Sequence, residues 1–235
     1  MPTSTRFERR AELSAVRPLA IVWAAGLVVL VTTLGTTDFD DKDVLLDPAH
    51  LAGLPWYTGL ISNLGVLGWT LAAVAAAGAA HIAHLGGRPR AGHFLKQAAA
   101  LGTLLALDDL LLLHSSVFPK LFGVSKTMIL AVYGLLGLAW AISNRREIIR
   151  TRWGLLGAAG VAMGGSIVID QLFASASWSL VAEDGAKFMG VLAWATYFSL
   201  TARDIASSVV RELRERSVDA STASTLGWID ELVEN

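Results

Sequence analysis

The chain has 235 residues, 54% of them hydrophobic and 17% charged, with a mean hydropathy of +0.53. Soluble domains carry about 25% charged residues, so this composition excludes an ordinary water-soluble globule and points to a membrane protein. Zero cysteines exclude disulfides, thiolate metal sites and a cysteine nucleophile.

Six apolar runs follow one another, each of about 20 residues, the length that crosses a bilayer as a helix. In chain order the expected spans are Pro18–Thr37, Trp56–Ala80, Phe94–Val117, Leu121–Ser143, Trp153–Ala174 and Glu183–Arg203. The basic RFERRAELSAVRP precedes the first. No A-x-A-like site follows it, so no cleavable signal is expected. The expected fold class is therefore all-α: one polytopic six-helix bundle in the cell membrane.

The net charge of −1 hides a segregation by loop. Arg6, Arg9, Arg10 and Arg17 precede the first span, and Arg88, Arg90 and Lys96 lie between the second and third. Arg145, Arg146, Arg150 and Arg152 join the fourth to the fifth, and Arg203, Arg211, Arg214 and Arg216 follow the sixth. The other loops hold the acidic DFDDKDVLLD, the short FPKLFGVSK and the neutral SASWSL. By the positive-inside rule both termini are expected in the cytoplasm. Three segments follow: a cytoplasmic segment 1–17, the membrane domain 18–203 and a cytoplasmic tail 204–235.

The third span carries LDDLLLLHSS, Leu107–Ser116. A carboxylate at bilayer depth costs about 2.5–3.5 kcal/mol on insertion scales, so two in succession need partners. Alternating helix direction supplies them. Asp108, Asp109 and Asp170 fall toward the outer ends of outward-running spans. Ser62, Asn63, Lys126, Glu183, Asp184 and Lys187 fall near the outer starts of inward-running ones. One outward-facing polar pocket is expected.

Helical phase separates Asp108 from Asp109 by about 100°. One should face the pocket centre and the other a neighbouring helix; Asp109 is the expected central residue, being nearer His114. Glu183, Lys187, Gly190, Trp194 and Tyr197 share one face of the sixth span. Lys126, Tyr133 and Trp140 share one of the fourth. Gly157, Gly160 and Gly164 form a small-residue stripe that lets a neighbouring helix approach. Plainer readings stand beside these: Glu183 and Asp184 as helix-start acids, Lys187 as the i+4 partner of Glu183, the aromatic stripes as packing. His81, His84 and His93 flank a basic turn and read as solvated.

Crowded carboxylates need protons or cations. Asp108, Asp109 and His114 form the candidate ligand set for one divalent metal. Asp108, Asp109, Asp170, Glu183 and Lys187 are candidate catalytic groups, with Glu183 or Asp170 as base, and Ser62 and Asn63 candidate binding residues. The expected function is a metal-assisted hydrolase or other lipid-processing enzyme. A proton- or cation-handling transporter subunit and an accessory subunit of a larger complex are the alternatives. Ser62 and Asp108 or Asp109, on different spans, resemble the Ser and Asp of alkaline-ceramidase-type membrane hydrolases, which also use His residues. That family's late paired-His motif and seventh span have no counterpart here. The resemblance implies hydrolysis of a lipid or lipid-linked substrate.

After the last span, DIASSVVRELRERS reads as an amphipathic surface helix, DASTAST as a linker, and LGWIDELVEN as a second amphipathic piece. Trp228, Ile229, Leu232 and Val233 would share one of its faces, a surface for a protein groove or for the chain's own basic loops. Membrane lipids and a protein partner for residues 226–235 are the expected contacts. No nucleic-acid or phosphate-loop motif occurs.

Overall fold

The computed structural model describes residues 20, 21, 23–32, 35 and 48–233, with side chains to residue 218. The described residues are helical or in turns, with no strand among them. Two units are distinct, Met1–Thr58 and Gly59–Asn235. Within the first, α1 is the apolar helix Trp23–Thr32, and Pro48–Leu51 forms one further helical turn. The expected first-span ends, the acidic loop and residues 1–17 lie outside the described residues.

The second unit contains α2 (Leu60–Leu85), α3 (Pro89–Leu111), α4 (Lys126–Ser143), α5 (Trp153–Phe173) and α6 (Ser179–Val233). Three helices, α2, α4 and α5, are long and apolar enough to cross a membrane. A fourth joins them if α3 is counted with the bent segment after it. Local chemistry sets the boundaries. Gly87, at φ 72°, turns the chain between α2 and α3, and Pro89 occupies the first turn of α3, where its missing N–H is harmless. Ser125 caps α4 by accepting the Met128 N–H at 3.2 Å.

The α2–α3 and α5–α6 hairpins pack closely, and α6 also packs along α2. Alanines make this possible: Ala72, Ala76, Ala79 and Ala83 of α2 are all buried, so the helix axes approach. Gly190 of α6 marks a tight crossing with α5. A Cβ there would stand 3.2 Å from the Ala159 carbonyl oxygen and 2.7 Å from Met163 Cγ on α5. An aromatic cluster fills the middle, with Trp194 near Trp69, Trp140 and Phe198 at ring separations of 5.7, 5.6 and 5.0 Å. Phe94 stacks on Trp140 at 5.5 Å. The face shared by Gly190, Trp194 and Tyr197 therefore points inward. By contrast, the backbone of α4 comes close to α3 and stands off from α5 and α6, which it reaches through side chains such as Trp140 and Lys126.

Three expectations change. The third span, expected as one helix to Val117, breaks at Leu112, and the segment beyond bends by 59°. The glycine stripe on α5 does not seat a neighbour, since a Cβ at Gly157, Gly160 or Gly164 would meet nothing within 4 Å. The backbone of α6 runs on through DASTAST to Val233. No proline follows Pro119 and no glycine lies between Gly190 and Gly227, so nothing in that stretch stops a helix. The side chains of the terminal amphipathic face, Trp228 to Val233, lie outside the described residues.

The contrast between glycines is testable by thermal melting of the purified protein in detergent. Gly190→Ala should destabilise by about 1–3 kcal/mol through overpacking. Gly164→Ala, with open space around it, should be neutral or slightly stabilising, because alanine favours helix by about 1 kcal/mol.

Candidate functional site

The bend after α3 creates the site. Leu112 adopts a left-handed conformation at φ 53°, unusual for a side-chain-bearing residue, and its N–H bonds the Asp108 carbonyl. The next five residues, Leu113–Val117, form a π-helical turn. The chain thereby bends, and His114 comes within hydrogen-bonding reach of Asp108. Its backbone N–H donates to Asp108 Oδ1 at 2.8 Å, and its Nδ1 lies 2.5 Å from Asp108 Oδ2. Tyr133, from α4, donates its hydroxyl to Asp108 Oδ1 at 2.9 Å. Asp108 is 3% exposed and every contact to it is a donor, the arrangement an acceptor-only carboxylate requires.

Asp109 turns to different helices. Trp69 Nε1 on α2 donates to its Oδ2 at 3.0 Å, and Lys187 Nζ on α6 to its Oδ1 at 2.6 Å. A third group of contacts joins α4, α5 and α6. Lys126 Nζ lies 2.9 Å from Asp170 Oδ2 and 4.0 Å from Glu183 Oε1. Gln171 Nε2 donates to Asp170, and Thr127 donates to Gln171, each at 2.9 Å. Glu183 thus holds the loosest partnership of the four cavity carboxylates.

All these groups sit at one end of a cavity of about 500 Å³, bounded by α2, α3, α4, α5 and α6. Asp108, Asp109, His114, Lys126, Tyr133, Asp170, Glu183 and Lys187 line it. A second pocket, of about 60 Å³, lies on the other side of the Asp109–Lys187 pair and is lined by Ser62 and Asp184 among others. Asn63 is exposed and lines neither cavity. It sits one helical step, about 100°, away from Ser62. His81, His84 and His93 are exposed at the other end of the helices.

His114 bonds Asp108 rather than Asp109. The expectation that Asp109 is the nearer presumes a straight helix, and the bend at Leu112 removes that premise. Asp108, Asp109 and His114 each offer a ligand atom, and these atoms lie within 4.8 Å of one another. A shared cation would need His114 Nδ1 and Asp108 Oδ2 to separate slightly, because ligands about 2.0–2.2 Å from one ion stand farther apart than 2.5 Å. Trp69 and Tyr133 were not expected as site members. A lone tryptophan or tyrosine in an apolar helix carries no sign that its polar tip will meet a carboxylate.

The opposite end of the bundle is also tied by ions. Arg88 bonds Glu212 and Ser208, and Arg152 bonds Asp204 at 3.1 Å. Thr151 and Tyr197 share a 2.7 Å hydrogen bond there.

Removing one member of the Asp109–Lys187 pair should be worse than removing both. The Asp109 side chain is 8% exposed and the Lys187 side chain 39%. Lys187→Met should therefore cost about 1–3 kcal/mol, reduced from the fully buried case by solvent at the lysine. Adding Asp109→Asn to that variant should recover most of the loss in a thermal melt. Additive losses would show that the pair is not coupled.

No curated protein and no solved structure matches the chain. A family model matches residues 19–201, and with it α2 to α5 and the part of α6 that carries Glu183 and Lys187. The chain belongs to the family described as "Domain of unknown function (DUF8692)".

Proposed function

We propose that the protein is a multi-pass membrane enzyme that hydrolyses, or otherwise processes, a lipid at the Asp108–His114 centre. Six spans with both termini in the cytoplasm form its membrane domain. The membrane reading is supported by the outer faces of the helices. Leu67, Val74, Leu135, Val161 and Leu172 are each more than 60% exposed, on a scale that a water-soluble surface does not tolerate in continuous patches. The clustering of arginine in alternate loops supplies the orientation.

One observation carries the chemical reading: a buried Asp–His pair opening into a cavity that continues as an apolar trough. Asp108, as acceptor, holds a proton on His114 Nδ1 and leaves the Nε2 lone pair free to take another. No hydrogen bond to Nε2 occurs among the described residues. In hydrolysis His114 Nε2 would accept a proton from water as its oxygen bonds the substrate carbonyl carbon, then return it to the leaving group as the scissile bond breaks. Tyr133 and the His114 backbone N–H position Asp108. Lys187, held in place by Asp109, would offset negative charge developing on the carbonyl oxygen.

A metal-assisted form of the same reading is supported by the proximity of Asp108, Asp109 and His114. These residues would hold one divalent ion, which supplies Lewis-acid polarisation and an acidified water. Glu183 or Asp170 would then serve as the base.

Two measurements bear on this. Reporter tags at residues 1 and 235 should both be cytoplasmic, and one within 40–47 external; termini on opposite faces would overturn the six-span reading. In vesicles of a natural lipid extract, His114→Ala should lower lipid turnover, followed by mass spectrometry, by about 10²–10⁴-fold. Undiminished turnover would remove His114 from the chemistry. Elemental analysis beside Asp109→Asn separates the two forms, since only the metal form predicts a stoichiometric ion lost in the variant.

A further inference from the structure

The polar cluster occupies one end of the cavity, and the remainder is apolar. Its walls follow α4 from Lys126 to Ala141 and α5 from Asp170 to Leu156, about 20 Å at 1.5 Å per residue. Leu105, Leu130, Leu138, Met163 and Ile167 supply carbon surface along it. Gly134 and Gly137 of α4 and Gly160 and Gly164 of α5 line the same space. A Cβ at any of the four would touch nothing within 4 Å. Side chains at these positions would narrow the gap between the two helices. The result is a long trough, open at Gly134 and Gly160, and its volume of about 500 Å³ lies in the range that encloses one molecule of drug size, about 300–1,000 Å³.

Charge at the polar end selects the head group. Asp108, Asp109, Asp170 and Glu183 face Lys126, Lys187 and His114. Asp108 is engaged by His114, Asp109 by Lys187 and Asp170 by Lys126. Glu183 is left 4.0 Å from a lysine already committed at 2.9 Å. Negative groups exceed positive ones even with His114 protonated. A phosphate or carboxylate head would add to that excess, whereas an ammonium or hydroxyl would donate to Glu183.

We propose that this trough binds a single-chain amphiphile, its tail between α4 and α5 and its hydroxyl or ammonium head beside Glu183, Asp108 and His114. The inference rests on the reading of that end as the place where a lipid is processed, and it names the class of lipid. Gly137 and Gly160 set the depth the tail can reach. Gly160 lies about 15 Å from Asp170 along α5, so a side chain there closes the lower part of the trough and leaves the head site alone.

The test is photo-crosslinking of the full chain in nanodiscs with diazirine-bearing alkylamines graded from octyl to octadecyl. Labelled residues are mapped by mass spectrometry. Saturable labelling is expected on the facing sides of α4 and α5, moving deeper as the diazirine moves along the chain. Gly160→Leu should cut labelling by the longest probes about tenfold, the effect of about 1.4 kcal/mol of overpacking, and spare the shortest. Met163→Ala, which widens the trough, should raise it; melting temperatures identify any variant that fails to fold. Alkylamines and alkanols should compete better than alkyl sulfates, and Glu183→Gln should weaken the amines about tenfold without affecting the alkanols. Labelling spread over the outer faces of all helices, preference for the sulfates, or a trough unlabelled by every probe would each overturn the proposal. The last is the result if a helix of this chain or of a second copy fills the space. Labelling is read without turnover, so it separates the two readings. A chain that labels but processes no lipid keeps the amphiphile site and loses the enzyme. A chain that processes lipid without labelling the trough does the reverse.

Discussion

Two adjacent carboxylates inside an apolar bundle must each find donors, and they point about 100° apart. No single neighbouring helix can satisfy both. Asp108 takes its donors from His114 and, on α4, Tyr133; Asp109 takes its own from α2 and α6. The pair therefore links α3 to three other helices at one level. An unmet hydrogen bond to a buried charged group costs more than the 1–3 kcal/mol of a neutral one, which ties the placement of α2, α4 and α6 to these two residues. The cavity wall follows from the same demand, because the polar tips converge where the helices still stand apart.

The second constraint is the bend at Leu112. A left-handed backbone at a leucine costs about 1–2 kcal/mol, and two contacts from His114 to Asp108 offset it. A straight continuation would carry His114 about 9 Å along the helix axis from Asp108. The local strain and the Asp–His pair are thus one feature: without the bend the imidazole has no carboxylate, and without the pair the bend has little to hold it. Strained backbone at such a place is consistent with a site whose geometry matters to function.

Packing divides the bundle into a tight half and an open half. Alanines and Gly190 bring α2, α3, α5 and α6 together around the tryptophan cluster. On α4 and on the facing side of α5 glycines do the opposite. Among the described residues nothing lies within 4 Å of a Cβ placed there, so they widen the cavity rather than seating a neighbour. The same residue type thus has two effects, decided by whether another helix arrives.

From the sequence alone the all-helical class was legible, as were the places of the long helices to within about five residues, apart from the break in the third and the continuation of α6 past Arg203 to Val233. So was the gathering of Asp108, Asp109, Asp170, Glu183 and Lys187 at one end, because alternate helix direction and distance from each helix end suffice to place residues at a common level. Periodicity also separated Asp108 from Asp109, and it assigned Lys187 and Trp194 to one face. It could not say which neighbour that face would meet. Tertiary structure decided that Asp108, not Asp109, receives His114, because the backbone bends at Leu112, between the two aspartates and the histidine, and no glycine marks the place. It decided that Asn63 stays outside while Ser62 reaches the smaller pocket, that Trp69 and Tyr133 join the site, and that the glycines of α5 border a void. A sequence fixes each residue's angle about its own helix axis. The distance and rotation of neighbouring helices arise only when all the buried polar groups and side-chain volumes are satisfied together.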